Sequence, residues 1–459
     1  MIRLFNTYFP ARTLLLTVTE TVLVILGFVL AVVLWAGTTL DANIYLLYEN
    51  GIGRIGLVAA VFLILMYYFD LYNSFILTNR REVLTRLVGV LGCIFVALAV
   101  LYYTFPEITL GGGVLFLGVL FMAIIVPLWR SFFFALNSSD RFAERAILYG
   151  DGPLAQPLIQ EMSQRSELGV RIAAFVGSSC PHAGIPSFSS VDLTELVKRE
   201  GVHRVVITMG DRRGRLNVEE LLKLKASGVQ IQDGPEYYET VTGKIPLESL
   251  RLSWLLFSPG FHVPAGLRLY KRVFSVLLGA LALVLTAPLM LIAAIAIKCD
   301  SKGPVIFKQR RVGEHGELFT VYKFRSMYEG SDKLHLKPAE HEDPRVTRVG
   351  YWLRRSRIDE LPQLFNILKG DMAFVGPRPF VPEQEEECAS QIPFYRERWL
   401  VKPGATGWAQ INRGYNATLE DNREKLAYDL FYIKNVSIGL DLYILFATLK
   451  IVLLGKGGR

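Results

Sequence analysis

The chain has 459 residues, 51% hydrophobic and 20% charged, which is too long for one compact core and too apolar for a disordered polymer. Four cysteines (Cys93, Cys180, Cys299, Cys388) lie far apart, which excludes a disulfide scaffold and a zinc ribbon and fits a reducing compartment. The net charge of +8 is uneven, because residues 1–266 hold 21 Lys+Arg against 21 Asp+Glu while residues 267–459 hold 29 against 21. A basic excess confined to the last part directs attention there, toward a phosphate-rich substrate or an anionic membrane surface.

In chain order, Leu14–Ala36, Ile55–Tyr72, Leu87–Phe105 and Leu110–Trp129 are apolar runs, each long enough to cross a hydrocarbon core of about 30 Å. The first is too long for a signal peptide and no small-residue cleavage site follows it, so a retained span is expected. Arg3 and Arg12 precede the first run, Arg80, Arg81 and Arg86 separate the second from the third, and Arg130, Arg141 and Arg145 follow the fourth. The other two loops offer only Arg54, so the positive-inside rule predicts four spans with both ends in the cytoplasm. Glu20, inside the first run, reads either as helix-packing polarity or as part of a transport path.

Residues 145–243 alternate short β-branched runs with amphipathic ones. Strands are predicted over Ala146–Tyr149, Arg171–Val176, Arg204–Thr208 and Val229–Gln232, and helices over Pro153–Ser163, Asp192–Glu200 and Val218–Ala226. That alternation predicts a parallel sheet with crossover helices. Gly150-Asp-Gly-Pro-Leu-Ala155 has the G-x-G-x-x-A form of a dinucleotide turn, but Asp151 puts a negative charge in it and no acid follows where ribose hydroxyls would need one. A Rossmann-like module serving assembly or regulation is the expectation.

Phe274–Ile297 is a run of 24 residues without a charge. Basic residues flank both ends and Pro288 lies inside, so a hairpin that enters and leaves on one face, breaking at Pro288, is expected in place of a fifth span. Val305–Arg311 and Leu318–Arg325 read as a β-hairpin around His315-Gly316. Asp359 and Glu360 then stand beside Arg354, Arg355 and Arg357, shortly before Pro362, which places the carboxylate pair near a helix N-terminus. Paired carboxylates among arginines suit a metal bridged to phosphate oxygens, with one carboxylate left as nucleophile or base; an N-cap Asp with surface ion pairs is the plainer alternative. Arg378, between Pro377 and Pro379, sits in a rigid loop suited to gripping a phosphate. Trp408 reads as core, and Leu440–Leu454 as a helix lying at a membrane surface. The six His show no ligand spacing for zinc.

The strings Lys323-Phe-Arg-Ser-Met, Asp359-Glu-Leu-Pro-Gln-Leu-Phe-Asn, Lys369-Gly-Asp-Met, Val375-Gly-Pro-Arg-Pro and Lys402-Pro-Gly-Ala-Thr-Gly-Trp-Ala-Gln, in this order, resemble those of the bacterial sugar transferases, the monotopic polyprenyl-phosphate phosphoglycosyl transferases. The four preceding spans and the α/β module resemble the long form of that family, found in exopolysaccharide and capsule pathways. The resemblance implies a multi-pass protein of the bacterial inner membrane. Its parts would be a four-helix transmembrane bundle (1–135), a Rossmann-like α/β domain (140–250), and an α/β catalytic domain (267–459) on the cytoplasmic face with a re-entrant helix over 270–298. It implies transfer of a hexose-1-phosphate from a UDP-sugar to undecaprenyl phosphate with release of UMP. Asp359 would be the nucleophile, Glu360 its dyad partner, and both would hold Mg²⁺. Arg354, Arg378, Lys323 and Arg325 would bind phosphate. The family breaks its hairpin at a Ser-Pro pair, where this chain has Ala287-Pro288. Membrane lipid is an implied partner and nucleic acid is not; a homodimer is left open. A non-catalytic scaffold binding nucleotide through the middle domain is the competing reading.

Overall fold

The computed structural model describes the chain apart from residues 74–79, 138–142, 179–181, 183, 190, 211–215, 251–256, 259, 332–342, 414–417 and 455–459; Arg141 and Cys180 therefore lie outside the described residues. The chain forms two compact units, one of residues 1–2 and 8–237, the other of residues 3–7 and 238–459.

In the first unit the four apolar runs form the helices Ala11–Ala36, Gly51–Tyr68, Arg80–Thr104 and Gly112–Asn137. A chain in hydrocarbon satisfies its backbone polar groups internally, which is why such sequences are helical. Among the described residues, five helices, the Ala265–Asp300 helix of the second unit included, are long and apolar enough to cross a membrane, and the protein is a membrane protein. Val24, Phe28, Ile55, Phe62, Val90, Ile94 and Met122 share one buried cluster. Glu20 lies within the packing and is fully buried. Its carboxylate takes Arg130 Nε at 2.5 Å and Nη2 at 3.0 Å, and the Tyr72 hydroxyl at 2.8 Å. Arg130 Nη1 donates to the Leu71 carbonyl at 2.9 Å. Both Glu20 oxygens are thus engaged by protein donors, as helix-packing polarity requires.

The remainder of this unit is a five-stranded sheet ordered Ser187–Phe188, Val170–Val176, Glu144–Tyr149, Arg204–Ile207, Gln230–Asp233. Every neighbouring pair is parallel. Three predicted helices are present, as Ala155–Gln164, Leu193–Glu200 and Val218–Ala226, while the two-residue strand Ser187–Phe188 has too little sequence to show periodicity. In the glycine turn Asp151 accepts from the Ser178 amide at 2.8 Å and from its hydroxyl at 2.7 Å. A Cβ on Gly152 would lie 1.7 Å from the Thr208 carbonyl oxygen, so close strand packing demands this glycine whether or not a ligand binds.

The second unit is built on the helix Ala265–Asp300. The helical assignment continues through Pro288, so the expected interruption there leaves no gap in the element. Ser275, Gly279, Ala293 and Ile297 are buried, and with partly buried Ala282, Leu283, Met290 and Ala294 they form a stripe at helical spacing against the α/β residues. The opposite face exposes Leu277, Leu281, Val284, Leu285, Leu291 and Ile292. The hairpin Ile306–Val312/Leu318–Phe324 pairs from Ile306↔Phe324 to Val312↔Leu318, with His315 and Gly316 at positive φ in its turn. Segments on either side of the long helix pack on each other: Trp408 Nε1 donates to the Gly243 carbonyl at 2.8 Å, Ile245 N to the Ala427 carbonyl at 3.0 Å, and Lys434 reaches Glu239 at 2.8 Å. Trp408 stacks on Phe431 in the core. Ile438–Leu453 is helical and exposes Ile438, Leu442, Phe446 and Leu449 along one face, while its Asp441 pairs inward with Lys271 at 2.8 Å. Residues 3–7, ahead of the Ala11–Ala36 helix, join this unit, where the Ser437 hydroxyl donates to the Phe5 carbonyl at 3.1 Å.

Candidate active site

Three segments converge on the carboxylate pair. The first is the strand Leu318–Phe324, which carries Lys323. Asn366, fully buried, locks the helix Gln363–Lys369 to that strand, accepting from Tyr322 N at 3.0 Å and donating to the Thr320 carbonyl at 2.6 Å. The second is the turn between the helices Arg348–Arg355 and Gln363–Lys369. Arg357 adopts a left-handed conformation (φ 57°) and sends the chain into the short 3₁₀ turn Ile358–Glu360. Asp359 therefore sits ahead of Pro362 in its own turn and does not cap the following helix. The third is the loop after the short strand Ala373–Val375, which pairs in parallel with Gly404–Thr406. Cβ atoms on Gly376, Gly404 and Gly407 would each fall within 2.1–2.3 Å of facing backbone atoms. The two Gly/Pro motifs are thus one structure, passing backbone against backbone, and it presents Arg378.

Glu360 is the electrostatic hub. Its Oε1 takes Lys323 Nζ and Arg378 Nη2, each at 2.8 Å, and Oε2 lies 3.5 Å from Arg357 Nη1. Burial opposes its charge, but Arg378 and Lys323 outweigh that and hold the carboxyl well below the usual range. Asp359 is 9% exposed and accepts no hydrogen bond from any described residue. Burial, with the Glu360 charge adding to it, pushes its carboxyl from 3.8 up to about 6, against the pull of Lys323, Arg354 and Arg378. The pair is therefore split: cations hold Glu360 toward its charged form, whereas Asp359 is pushed toward its neutral form and is anionic above about pH 6.

Lys323 and Arg378 come together at the dyad, and Arg354 acts on Asp359 through its charge. Arg325 has a different place. It is 6% exposed, and its Nη2 donates to the Ser301 carbonyl at 2.7 Å and hydroxyl at 2.9 Å. Arg357 belongs to the arginine cluster beside the dyad; its contact with Glu360 depends on the left-handed turn, which spacing alone does not show. No group of three or more metal-ligating side chains occurs among the described residues. A two-carboxylate set is nonetheless the donor set by which Mg²⁺ is held alongside substrate phosphates; the Asp359 oxygens, which have no hydrogen-bond partner among the described residues, fit it, and Glu360 Oε2 would join them by sharing its charge with Arg357 Nη1, 3.5 Å away.

Residues 267–455 match the family described as Bacterial sugar transferase. Over 477 aligned residues, 97% of this chain and 94% of the relative, the chain is 30% identical to the UDP-glucose:undecaprenyl-phosphate glucose-1-phosphate transferase of Xanthomonas campestris pv. campestris. The chain belongs to the bacterial sugar transferase family. It is 31% identical to the undecaprenyl-phosphate galactose phosphotransferase of Salmonella typhimurium, over 73% of this chain and 74% of that one. It is 44% identical to the UDP-N-acetylgalactosamine-undecaprenyl-phosphate N-acetylgalactosaminephosphotransferase of Aeromonas hydrophila, over 48% of this chain and 52% of the relative. The chain thus spans about half the length of some relatives it matches and nearly all of another. The dyad, Lys323 and Arg378 all lie inside the family-matching segment.

Proposed function

We propose that this bacterial sugar transferase moves a hexose-1-phosphate from a UDP-sugar to undecaprenyl phosphate, releasing UMP, through a covalent intermediate on Asp359. One observation carries the reading: a buried carboxylate without a hydrogen-bond partner among the described residues stands beside a second carboxylate clamped by Lys323 and Arg378. The relatives' names supply the donor and acceptor classes.

An Asp359 oxygen attacks the phosphorus that carries the sugar. The bond from that phosphorus to the bridging oxygen breaks, and UMP leaves with the electron pair. The product is an acyl phosphate on Asp359, which an oxygen of undecaprenyl phosphate attacks in turn, forming the diphosphate and returning the carboxylate. Arg378 and Lys323, already aimed at an anion, offset the charge that collects on phosphate oxygens, and Arg354 adds to that field. Glu360 keeps these cations in place before substrate arrives. Mg²⁺, held by Asp359 and Glu360 with the diphosphate, would neutralise further negative charge when bound.

The setting we propose is the cytoplasmic face of the bacterial inner membrane, with four spans bundled at the N-terminus, a Rossmann-like module and a catalytic domain. The Ala265–Asp300 helix would enter and leave on one face, bending near Pro288. Residues 239–245, before this helix, bond to residues 408–434 after it, and flanks that hydrogen-bond to each other belong on one side of a bilayer. The competing scaffold reading, with nucleotide in the middle domain, is disfavoured by Asp151, whose carboxylate lies in the candidate phosphate turn and bonds Ser178.

The test is purified full chain in nanodiscs, offered a panel of UDP-sugars with Mg²⁺ and undecaprenyl phosphate while UMP is detected. Without the lipid, mass spectrometry should find a phosphosugar adduct on Asp359. Asp359→Asn should form no adduct and turn over nothing; a fully active Asn variant, or release of UDP in place of UMP, refutes the assignment.

A further inference from the structure

The loop that presents Arg378 is short of hydrogen-bond donors, because Pro377 and Pro379 have no N–H. Its shape is set through its carbonyls, and each is held from a different direction. Gly404 N donates to the Pro377 carbonyl at 2.9 Å, Arg311 Nη1 to that of Pro379 at 3.1 Å, and Val312 N to that of Phe380 at 3.2 Å. The carbonyl of Arg378 itself is held by a side chain, Arg398 Nη2 at 2.8 Å.

Arg398 is 4% exposed and sits in a buried charge cluster apart from the dyad. Its Nη1 donates to Glu385 Oε1 at 3.0 Å and to the Tyr395 hydroxyl at 2.7 Å, and its Nη2 also reaches Asp429 Oδ2 at 3.0 Å. The guanidinium lies over the Phe380 ring, 4.8 Å from its centroid. Glu385 in turn accepts from Trp399 Nε1 at 3.1 Å and from Phe380 N at 3.2 Å. Ionised groups taken this far out of water add little to stability over apolar packing of the same volume. A planar fork that spans two carboxylates and one carbonyl does something apolar packing cannot: it fixes the direction in which the next side chain leaves the backbone.

We propose that Arg398 is a positioning residue for the reaction, holding the Arg378 peptide so that the Arg378 guanidinium meets the donor diphosphate beside Glu360. Glu385 and Asp429 are its braces. Arg398 touches no substrate and acts through Arg378 alone. The proposal rests on the reading of Arg378 as a phosphate grip, and a four-protein cycle separates the two.

Wild type, Arg398→Lys, Arg378→Ala and the double variant are assayed as full chain in nanodiscs, with the UDP-sugar that gives UMP in the panel above. Lysine keeps the charge but offers three donors from a single atom, too few and too close together for the four acceptors that Arg398 spans. Arg398→Lys should lower kcat/KM by roughly ten- to a hundredfold, the scale of a displacement of about 1 Å at a reacting group, mainly through a raised KM for the donor. In the Arg378→Ala background the same change should alter kcat/KM by less than about twofold, because the side chain it positions is gone. Equal losses in both backgrounds, or no loss in the wild-type background, overturn the role of Arg398. Full activity in Arg378→Ala alone overturns the phosphate-grip reading instead. Should Arg398→Lys fail to fold, Asp429→Asn keeps the side-chain shape, withdraws one brace, and runs the same cycle with the same deciding outcomes.

Discussion

The carboxylate proposed to attack phosphorus should weaken the fold that holds it. In the folded protein burial and the neighbouring Glu360 charge push the Asp359 carboxyl from 3.8 to about 6. Since its pKa is raised on folding, protonation favours the native state. That contribution is complete below about 3.8 and is lost as pH climbs through about 6, so at pH 7.5 the ionised Asp359 works fully against folding. At about 1.4 kcal/mol per pH unit the penalty approaches ~3 kcal/mol. Asp359→Asn removes the charge at nearly constant shape. It should therefore be more stable than wild type at pH 7.5 by up to about 3 kcal/mol, or roughly 6–12 °C in Tm for a unit of this size. The amide leaves its own polar atoms buried, so the gain falls short of that ceiling. The measurement is a thermal melt followed by tryptophan fluorescence, wild type against variant, in one detergent from pH 4 to pH 8. The gain should be largest above pH 6 and should shrink toward zero near pH 4. A variant no more stable than wild type at pH 7.5, or one whose advantage is as large at pH 4, refutes the account of Asp359 as an anion destabilised by burial and by the Glu360 charge.

Three further outcomes are expected. A chain starting near Gly260 should keep UMP release in nanodiscs, since the dyad and its cations all lie beyond that point; a well-folded but inactive truncation would show that earlier residues contribute to the site. Arg130→Leu should cost about 3–5 kcal/mol in thermal or denaturant unfolding because Glu20 is left buried and uncompensated, whereas Glu20→Leu with Arg130→Leu should recover most of the loss; equal losses in both would argue against the pair. In a chain stripped of its own cysteines, Arg268→Cys and Lys302→Cys probes should both resist an impermeant thiol reagent in intact cells and react after permeabilisation, and outside labelling at residue 302 would make the long helix an ordinary span.

Where a single element carries its own periodicity, the sequence shows it. Val218–Ala226 is helical over the predicted residues, and the β-hairpin runs from 306 to 324 against a prediction of 305 to 325. The dyad and Arg378 stood out because adjacent carboxylates and a proline-flanked arginine are unusual in themselves. What stayed hidden is what long-range pairing decides. The Gly376 and Gly404 motifs read as separate loops, yet each glycine is required by the other's backbone. Lys323 and Arg325 look equivalent two residues apart, but Arg325 falls just beyond the strand end and turns to Ser301. Asp441 in the apolar Ile438–Leu453 helix is paired by Lys271, 170 positions earlier, which spacing alone does not show. Arg398 had no distinguishing neighbours in the sequence, and its role depends on Glu385 and Asp429 arriving from two other helices.

Residues 3–7 belong to the same compact unit as residues 238–459, and this imposes a parity rule. A path that leaves a body on one side of a sheet of lipid and comes back to it crosses that sheet an even number of times. The chain departs at Thr7 and returns at Tyr238, with four long apolar helices between. Two, four or six crossings are compatible with the Phe5–Ser437 bond; three or five would tear it. Relatives that retain this N-terminal strap should therefore gain or lose spans in pairs.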